Sequence, residues 1–535
     1  MRIPRLSRLP LIASFLRLTL LSGALTFAAA CSGGAPAPPA GTPVVGQTDF
    51  VSAPPAGRGG GNSASFGAAG GGVALNASAS TSTSSAAAPA ASGGTGTART
   101  VQETDLYRFD AATNRLYYLN SYRGLMVFDL TNVDQPKLLG RSPIFGTPVQ
   151  MFVQGTTAVV VVADWYGTLD SGAPFHGSIV RGLDASDPAN IKVIGDAKLG
   201  GWIQDTRVVG NILYAVSEDY GWTYGWWGGG GVAFGAPAIG GSSSASVIVS
   251  SVNFAGGAIT AVSSKTYAGY GAVFNVTPSS IMLAHPAPPG DSGVAPAQTV
   301  LQYLDITDPN GAIAERGSIT VDGAVEGWGP DNGRWNLDFA DGKTAHTIGS
   351  LDTYASSGSN FVLATADFSN PDAPVLDSTL PIASPGWTPA ARFDSQRMYL
   401  SESSYSSASG TTPLQIYDLS KPTAPALAGQ TTIPGSVWLI LPSGNQLFAL
   451  GQDTTASTSS SQVSLKYLDV TDATKPTLIG MSNFGSGWAW TPAADTFKAF
   501  VRGTTLDGSQ GLVLLPFSGW SWNAQQYNNG VQLIE

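Results

Sequence analysis

From about Val101 onward, apolar and polar positions alternate in short runs broken by Gly, Asp, Asn and Pro. Leu116-Tyr-Tyr-Leu, Ala158-Val-Val-Val-Val, Ile212-Leu-Tyr-Ala-Val, Phe361-Val-Leu-Ala and Met398-Tyr-Leu are rich in β-branched and aromatic residues, as strands are. No long stretch carries the 3.6-residue period of an amphipathic helix. Many short strands set apart by turn residues predict an all-β domain, built as a sandwich, a barrel or a propeller.

A repeat separates these three. Leu125-Met-Val-Phe-Asp129-Leu-Thr-Asn, Ile179-Val-Arg-Gly-Leu-Asp184-Ala-Ser-Asp-Pro and Leu301-Gln-Tyr-Leu-Asp305-Ile-Thr-Asp-Pro align with one another. Ala364-Thr-Ala-Asp367-Phe-Ser-Asn-Pro, Leu414-Gln-Ile-Tyr-Asp418-Leu-Ser-Lys-Pro and Leu465-Lys-Tyr-Leu-Asp469-Val-Thr-Asp continue the series. The aspartates are spaced 55, 121, 62, 51 and 51 residues apart, the 121 gap holding two units, one of them degenerate near Val247–Phe254. A period of 50–60 residues with about four strands is that of a propeller blade. Seven units fit between Leu106 and Met481, and Trp488–Thr491, Phe497–Val501, Leu512–Phe517 and Val531–Ile534 supply a last one. The reading is a β-propeller of eight four-stranded blades, or seven with a shared closure made by pairing the two chain ends.

The repeated acids have a structural explanation. Asp and Ser/Thr side chains accept from backbone N–H groups two residues on and close a tight turn, and Pro then leads into an outer edge strand. A calcium relay is the rival explanation, but no Asp-x-Asp-x-Asp-Gly spacing accompanies the acids.

Val101-Gln-Glu-Thr-Asp-Leu-Tyr-Arg, Thr206-Arg-Val-Val-Gly-Asn-Ile-Leu-Tyr-Ala-Val, Ala391-Arg-Phe-Asp-Ser-Gln-Arg-Met-Tyr-Leu, Ile433-Pro-Gly-Ser-Val-Trp-Leu-Ile-Leu-Pro, Phe497-Lys-Ala-Phe and Gly511-Leu-Val-Leu-Leu-Pro follow one another in this order. In that order they resemble the secreted bacterial proteins with a C-terminal β-propeller, over roughly residues 101–520. The Asp-x-Ser-Asp-Pro segments are similar to the LVIVD repeat of bacterial surface propellers. Trp335-Asn-Leu-Asp-Phe-Ala-Asp-Gly-Lys-Thr-Ala-His346 departs from the family's strand pair. The resemblance implies a fold and an envelope location, not a reaction.

The chain's beginning reads as an address. Arg2, Arg5, Arg8 and Arg17 precede the apolar run Leu18–Phe27, which ends in Ala28-Ala29-Ala30-Cys31. A basic stretch, a short apolar stretch and small residues describe a signal peptide over residues 1–30. Small residues before the protein's one cysteine resemble a bacterial lipobox, with Ala28 in place of the commoner Leu. Acylation of Cys31 would then hold the protein to a membrane. Ser32, rather than Asp, after the cysteine points to an outer-membrane lipoprotein; the alternative is secretion with Cys31 unmodified. Residues 31–100 are mostly Gly, Ala, Ser, Thr and Pro, and form a disordered tether with a reach of roughly 45 Å. Residues 101–535 form the propeller.

Composition then narrows function. Lys+Arg 26 against Asp+Glu 36 gives −10; without the four arginines before residue 31 the balance is 22 against 36, or −14. No nucleic-acid partner is expected of such a charge. One cysteine and three histidines leave little for a disulfide framework or a zinc site, and no cofactor is expected.

Two aromatic sets are candidate contact surfaces for a protein or glycan partner. Trp202, Trp328, Trp387, Trp438 and Trp488 recur after the outer strand of one unit and before the inner strand of the next, where they form either a collar at the channel mouth or packing between blades. Trp222, Tyr224, Trp226 and Trp227 stand on a glycine-rich stretch, and aromatics at this density mark contact surfaces. Gly290-Asp-Ser292-Gly and Thr344-Ala-His346 mimic serine-protease segments, in reversed order. The expected role is a lipid-anchored binding or scaffolding module of the cell envelope. The rivals are a secreted propeller hydrolase and an envelope-assembly scaffold resembling the eight-bladed lipoprotein of outer-membrane protein assembly, whose repeat differs.

Overall fold

A computed structural model describes residues 99–535 apart from 170, 220–244, 288–296, 326–329, 352–359, 384–388, 395, 403–409, 454–460, 486, 505–510 and 522–524. The signal peptide, Cys31 and all of the tether but Arg99 and Thr100 therefore lie outside the described residues.

The chain is an eight-bladed β-propeller. Blades span residues 107–142, 147–199, 202–268, 273–322, 337–383, 389–434, 436–484 and 488–534, each an antiparallel sheet of four consecutive strands. Blade 3 carries a fifth strand, Val101–Glu103, on its inner edge. Only short 3-10 turns interrupt the strands, and no α-helix occurs among the described residues.

The strands recognised from their apolar runs are the second and third of their blades. These are covered on both faces by neighbouring blades, so they need no polar alternation: Ala158 through Ala163 are all fully buried. Outer strands face solvent and alternate instead, as in Thr260–Ala268. Seven clusters of buried residues fill the seven junctions from blade 1–2 to blade 7–8. None of the seven joins blade 8 to blade 1.

The six repeat aspartates end the third strands of blades 1, 2, 4, 5, 6 and 7 and close the predicted turns. Asp129, Asp184, Asp305, Asp367, Asp418 and Asp469 each accept the backbone N–H two residues on, at 2.7–2.9 Å. In the degenerate unit Asn253 does the same for Ala255 at 2.8 Å. The acid or amide three residues later makes a second such turn at Asn132, Asp187, Asp308, Asn370 and Asp472.

Each turn is preceded by a β-bulge shortly before the acid or amide, between the third and fourth strands of blades 1–7. The bulge sharpens the local twist that lets successive blades stack around an axis. The turn then seats on the preceding blade. A Cβ at Gly140 would stand 1.7 Å from the Pro188 carbonyl oxygen, and one at Gly317 2.6 Å from that of Pro371. Gly140→Ala is therefore expected to cost about 1–3 kcal/mol, the range for overpacking a tight contact. Urea unfolding measures it.

Ring closure differs from the expectation. Among the described residues the first and last blades do not share a strand: Gln526–Ile534 pairs with Gly511–Ser521 of its own blade, and Tyr107–Asp110 with Arg115–Asn120 of its own. In blade 8, Phe497–Ala499 is a 3-10 turn and the strand begins at Val501, while Trp488–Trp490 and Val501–Thr504 pair with opposite ends of the long strand Gly511–Ser521.

Residues 99–106 instead run through the centre and reach six blades. Arg99 Nη1 donates to the Ile306 and Thr307 carbonyls beside blade 4, at 2.8 and 3.1 Å. Val101–Glu103 pairs with Arg207–Val209 of blade 3. Glu103 meets Arg334, in the turn leading to blade 5. Lys498 of blade 8 donates to the Thr104 carbonyl. Asp105 exchanges both backbone hydrogen bonds with Met151 of blade 2, and the Leu106 carbonyl accepts from Leu119 of blade 1.

Candidate functional site

Antiparallel meanders place the start of each first strand and the end of each second strand on one rim, and the repeat aspartates on the other. Trp202 begins the first strand of blade 3 and is in register with Glu218, one residue before that second strand ends at Asp219. Asp219 in turn faces Ser246. The stretch carrying Trp222, Tyr224, Trp226 and Trp227 thus leaves and rejoins the sheet beside Trp202, although these four residues lie outside the described ones.

The Gly-Trp pattern has a backbone cause. The chain turns from an outer strand into the next inner strand through Gly201, Gly435 and Gly487, each with φ near +70°, where glycine is favoured. Ser178 Oγ donates to the Gly201 carbonyl at 2.7 Å and accepts from Ile203 at 3.1 Å. Thr412 Oγ1 donates to the Gly435 carbonyl at 2.5 Å. Trp202, next to the pinned Gly201 turn, is held at the rim.

The five collar candidates do not share one environment. Trp202 is 40% exposed and Trp488 56%, with Trp490 at 41%, whereas Trp438 is 8% exposed and packs inside. Trp328 and Trp387 fall outside the described residues. Of the protease-like segments, Ser292 also falls outside, and His346 is buried in blade 5 with its Nδ1 3.1 Å from Thr365 Oγ1 and its ring stacked on Phe393. Among the described residues, no three His, Cys, Asp or Glu side chains gather closely enough to hold a metal ion.

The second site was not legible in the sequence: a polar constellation within the channel. Asp205 Oδ1 lies 2.7 Å from Arg207 Nη1 and accepts from Gln150 Nε2 at 3.1 Å. Glu103 Oε1 lies 2.5 Å from Arg334 Nη2 and 3.8 Å from Arg207 Nη2. Thr104, Thr206 and Gln150 form a buried hydrogen-bonded triangle, with the two hydroxyls 2.8 Å apart. Burial works to raise the Glu103 and Asp205 pKa values, but Arg334 and Arg207 outweigh it and hold both carboxyls below the usual range. Asp105 is raised by burial against the pull of Lys498.

A cationic wall stands behind these acids. The Arg334 guanidinium lies 4.5 Å from the Trp335 ring centre and 4.9 Å from that of Phe497, and Arg392 covers Trp335 at 3.5 Å. Trp335 Nε1 and Arg392 Nε and Nη1 are enclosed donors without hydrogen-bond partners among the described residues. A cavity of about 100 Å³ lies beside Asp205 and Arg334, lined also by Gln150, Gln204, Phe274 and Lys498.

Comparison with known proteins agrees with the architecture. A family model described as a beta propeller domain matches residues 237–534. A search of curated proteins returns no match. Among solved structures, the chain is similar to an acylaminoacyl peptidase of Pyrococcus horikoshii at 10% identity and a TM-score of 0.31, covering 78% of this chain and 57% of that one. It thus spans little more than half the peptidase's length. It is also similar to the β-propeller domain of Myceliophteria thermophila Cps50 (Swd1), at 11% identity and a TM-score of 0.31, over 69% of this chain and 98% of that one.

Proposed function

Starting from a chain that belongs to the beta propeller domain family, we propose that it is a lipid-anchored binding or scaffolding module of the cell envelope, and that it engages a protein or glycan through the tryptophan rim. The observation that carries this reading is the exposure of Trp202 and Trp488 on the rim from which the 220–244 stretch departs. Indoles are costly to leave in water and contribute strongly when a partner covers them.

The experiment is capture of partners from an envelope extract by the full chain, by Trp202→Ala/Trp488→Ala, and by a chain lacking residues 220–231. Both side chains are about half exposed, so the double substitution is expected to leave the melting temperature nearly unchanged while removing captured partners. Identical captured sets from all three proteins would contradict the rim as a contact surface.

A further inference from the structure

We propose that the central channel is an acceptor site for an extended, acidic peptide segment, and that residues 99–105 occupy it in cis. This inference does not draw on the rim reading. It rests on how the channel reads its present occupant.

Recognition is position by position. The backbone of Val101–Glu103 adds to the free inner edge of Arg207–Val209, the mode by which exposed sheet edges take up a strand. Val101 packs against a cluster that includes Val209, Ile212, Tyr214 and Ile306, whereas Thr100 and Gln102 are exposed and unread. The carboxylate at position 103 sits between Arg334 and Arg207. The hydroxyl at 104 enters the Thr206 and Gln150 pair, and Lys498 takes the same residue's carbonyl. The fitting segment is therefore apolar, any residue, acidic, then hydroxyl-bearing.

Two further features favour an acidic ligand. Among the described residues the wall leaves Trp335 Nε1 and Arg392 Nε and Nη1 without acceptors, so its donors outnumber what the cis segment supplies. The pairing covers only three residues, so the segment is held largely by its ends and its charge rather than by a long ladder. A tethered occupant acts at an effective concentration on the order of millimolar, so the wild-type chain excludes a weaker trans peptide.

The test uses the full chain carrying Glu103→Ala/Thr104→Ala and a fluorescein-labelled peptide with the sequence of residues 99–106. The variant is expected to bind the peptide and to melt at a higher temperature in its presence. A peptide with Gln in place of the glutamate should bind at least tenfold more weakly, and the wild type should bind neither. A folded variant that binds no peptide, or that binds both peptides equally, overturns the proposal. Should the variant not fold, hydrogen exchange on the wild-type chain decides. Gln102 and Glu103 amides exchanging well before those of Ile212–Asp219 support a displaceable segment; exchange only together with them overturns it.

Discussion

Arg334→Ala will lower the stability of the propeller by about 1–3 kcal/mol, between the cost of breaking an exposed ion pair and that of breaking a buried one, because the Arg334 and Glu103 side chains are 16% and 25% exposed. Arg334 is the point at which the lead-in segment, the turn before blade 5 and blade 8 meet. It binds Glu103 at 2.5 Å and lies against the Trp335 and Phe497 rings. Its loss leaves the Glu103 carboxylate with Arg207 at 3.8 Å and the more distant Lys498. Arg334→Lys should fall between the two, because an ammonium restores charge but neither the planar stack nor the fork of donors. Urea unfolding provides the measurement. A loss below about 1 kcal/mol, the scale of an exposed pair, would mean that the clasp does not hold the ring.

The second large effect is one of pH, and it is hidden until one of two groups is removed. Asp338 and His346 are cross-strand partners in blade 5. Burial pushes the His346 pKa down from 6.5 to about 4. An unfolded chain then binds the proton that the folded one refuses, so this term stabilises fully above pH 6.5 and is lost as pH falls towards 4. Burial, with the Asp341 charge, pushes Asp338 up from 3.8 to about 6, against the pull of Arg392. That term has the opposite sign: it is fully present below pH 3.8 and is lost as pH rises through 6. At 1.36 kcal/mol per pKa unit each is worth about 3 kcal/mol, and over pH 4–6.5 they oppose one another. Asp338→Asn should therefore lose about 2–3 kcal/mol between pH 6.5 and 4, and His346→Gln should gain a similar amount. Parallel slopes for the two variants, read from unfolding midpoints, would contradict this.

What the sequence disclosed follows from where each interaction is made. The Asx turns need only a side chain and an N–H two residues on, so Asp129 through Asp469 announce them locally. The middle strands declare themselves because both faces are covered. The lead-in segment carries no such mark. Its partners are Arg207, Arg334 and Lys498, the last bonded across 394 residues, and nothing near Glu103 reveals them. Phe497–Ala499 reads as a strand because it is apolar and aromatic, but Phe497 is committed to Trp335 and Arg334 and the backbone turns to meet them. The tryptophan spacing is visible as a pattern, yet exposure of Trp202 and burial of Trp438 depend on packing that spacing does not encode.

The central claim is that residues 101–103 lie within the channel, antiparallel to 207–209, and clasp the ring from inside. Gln102 faces Val208 in this register, at the spacing of neighbouring strands that a disulfide can bridge. In a chain with Cys31→Ser, the pair Gln102→Cys/Val208→Cys should oxidise to one disulfide, joining the two peptides in a proteolytic digest and raising the melting temperature. Two free thiols after oxidation of the folded protein would show that the segment lies elsewhere.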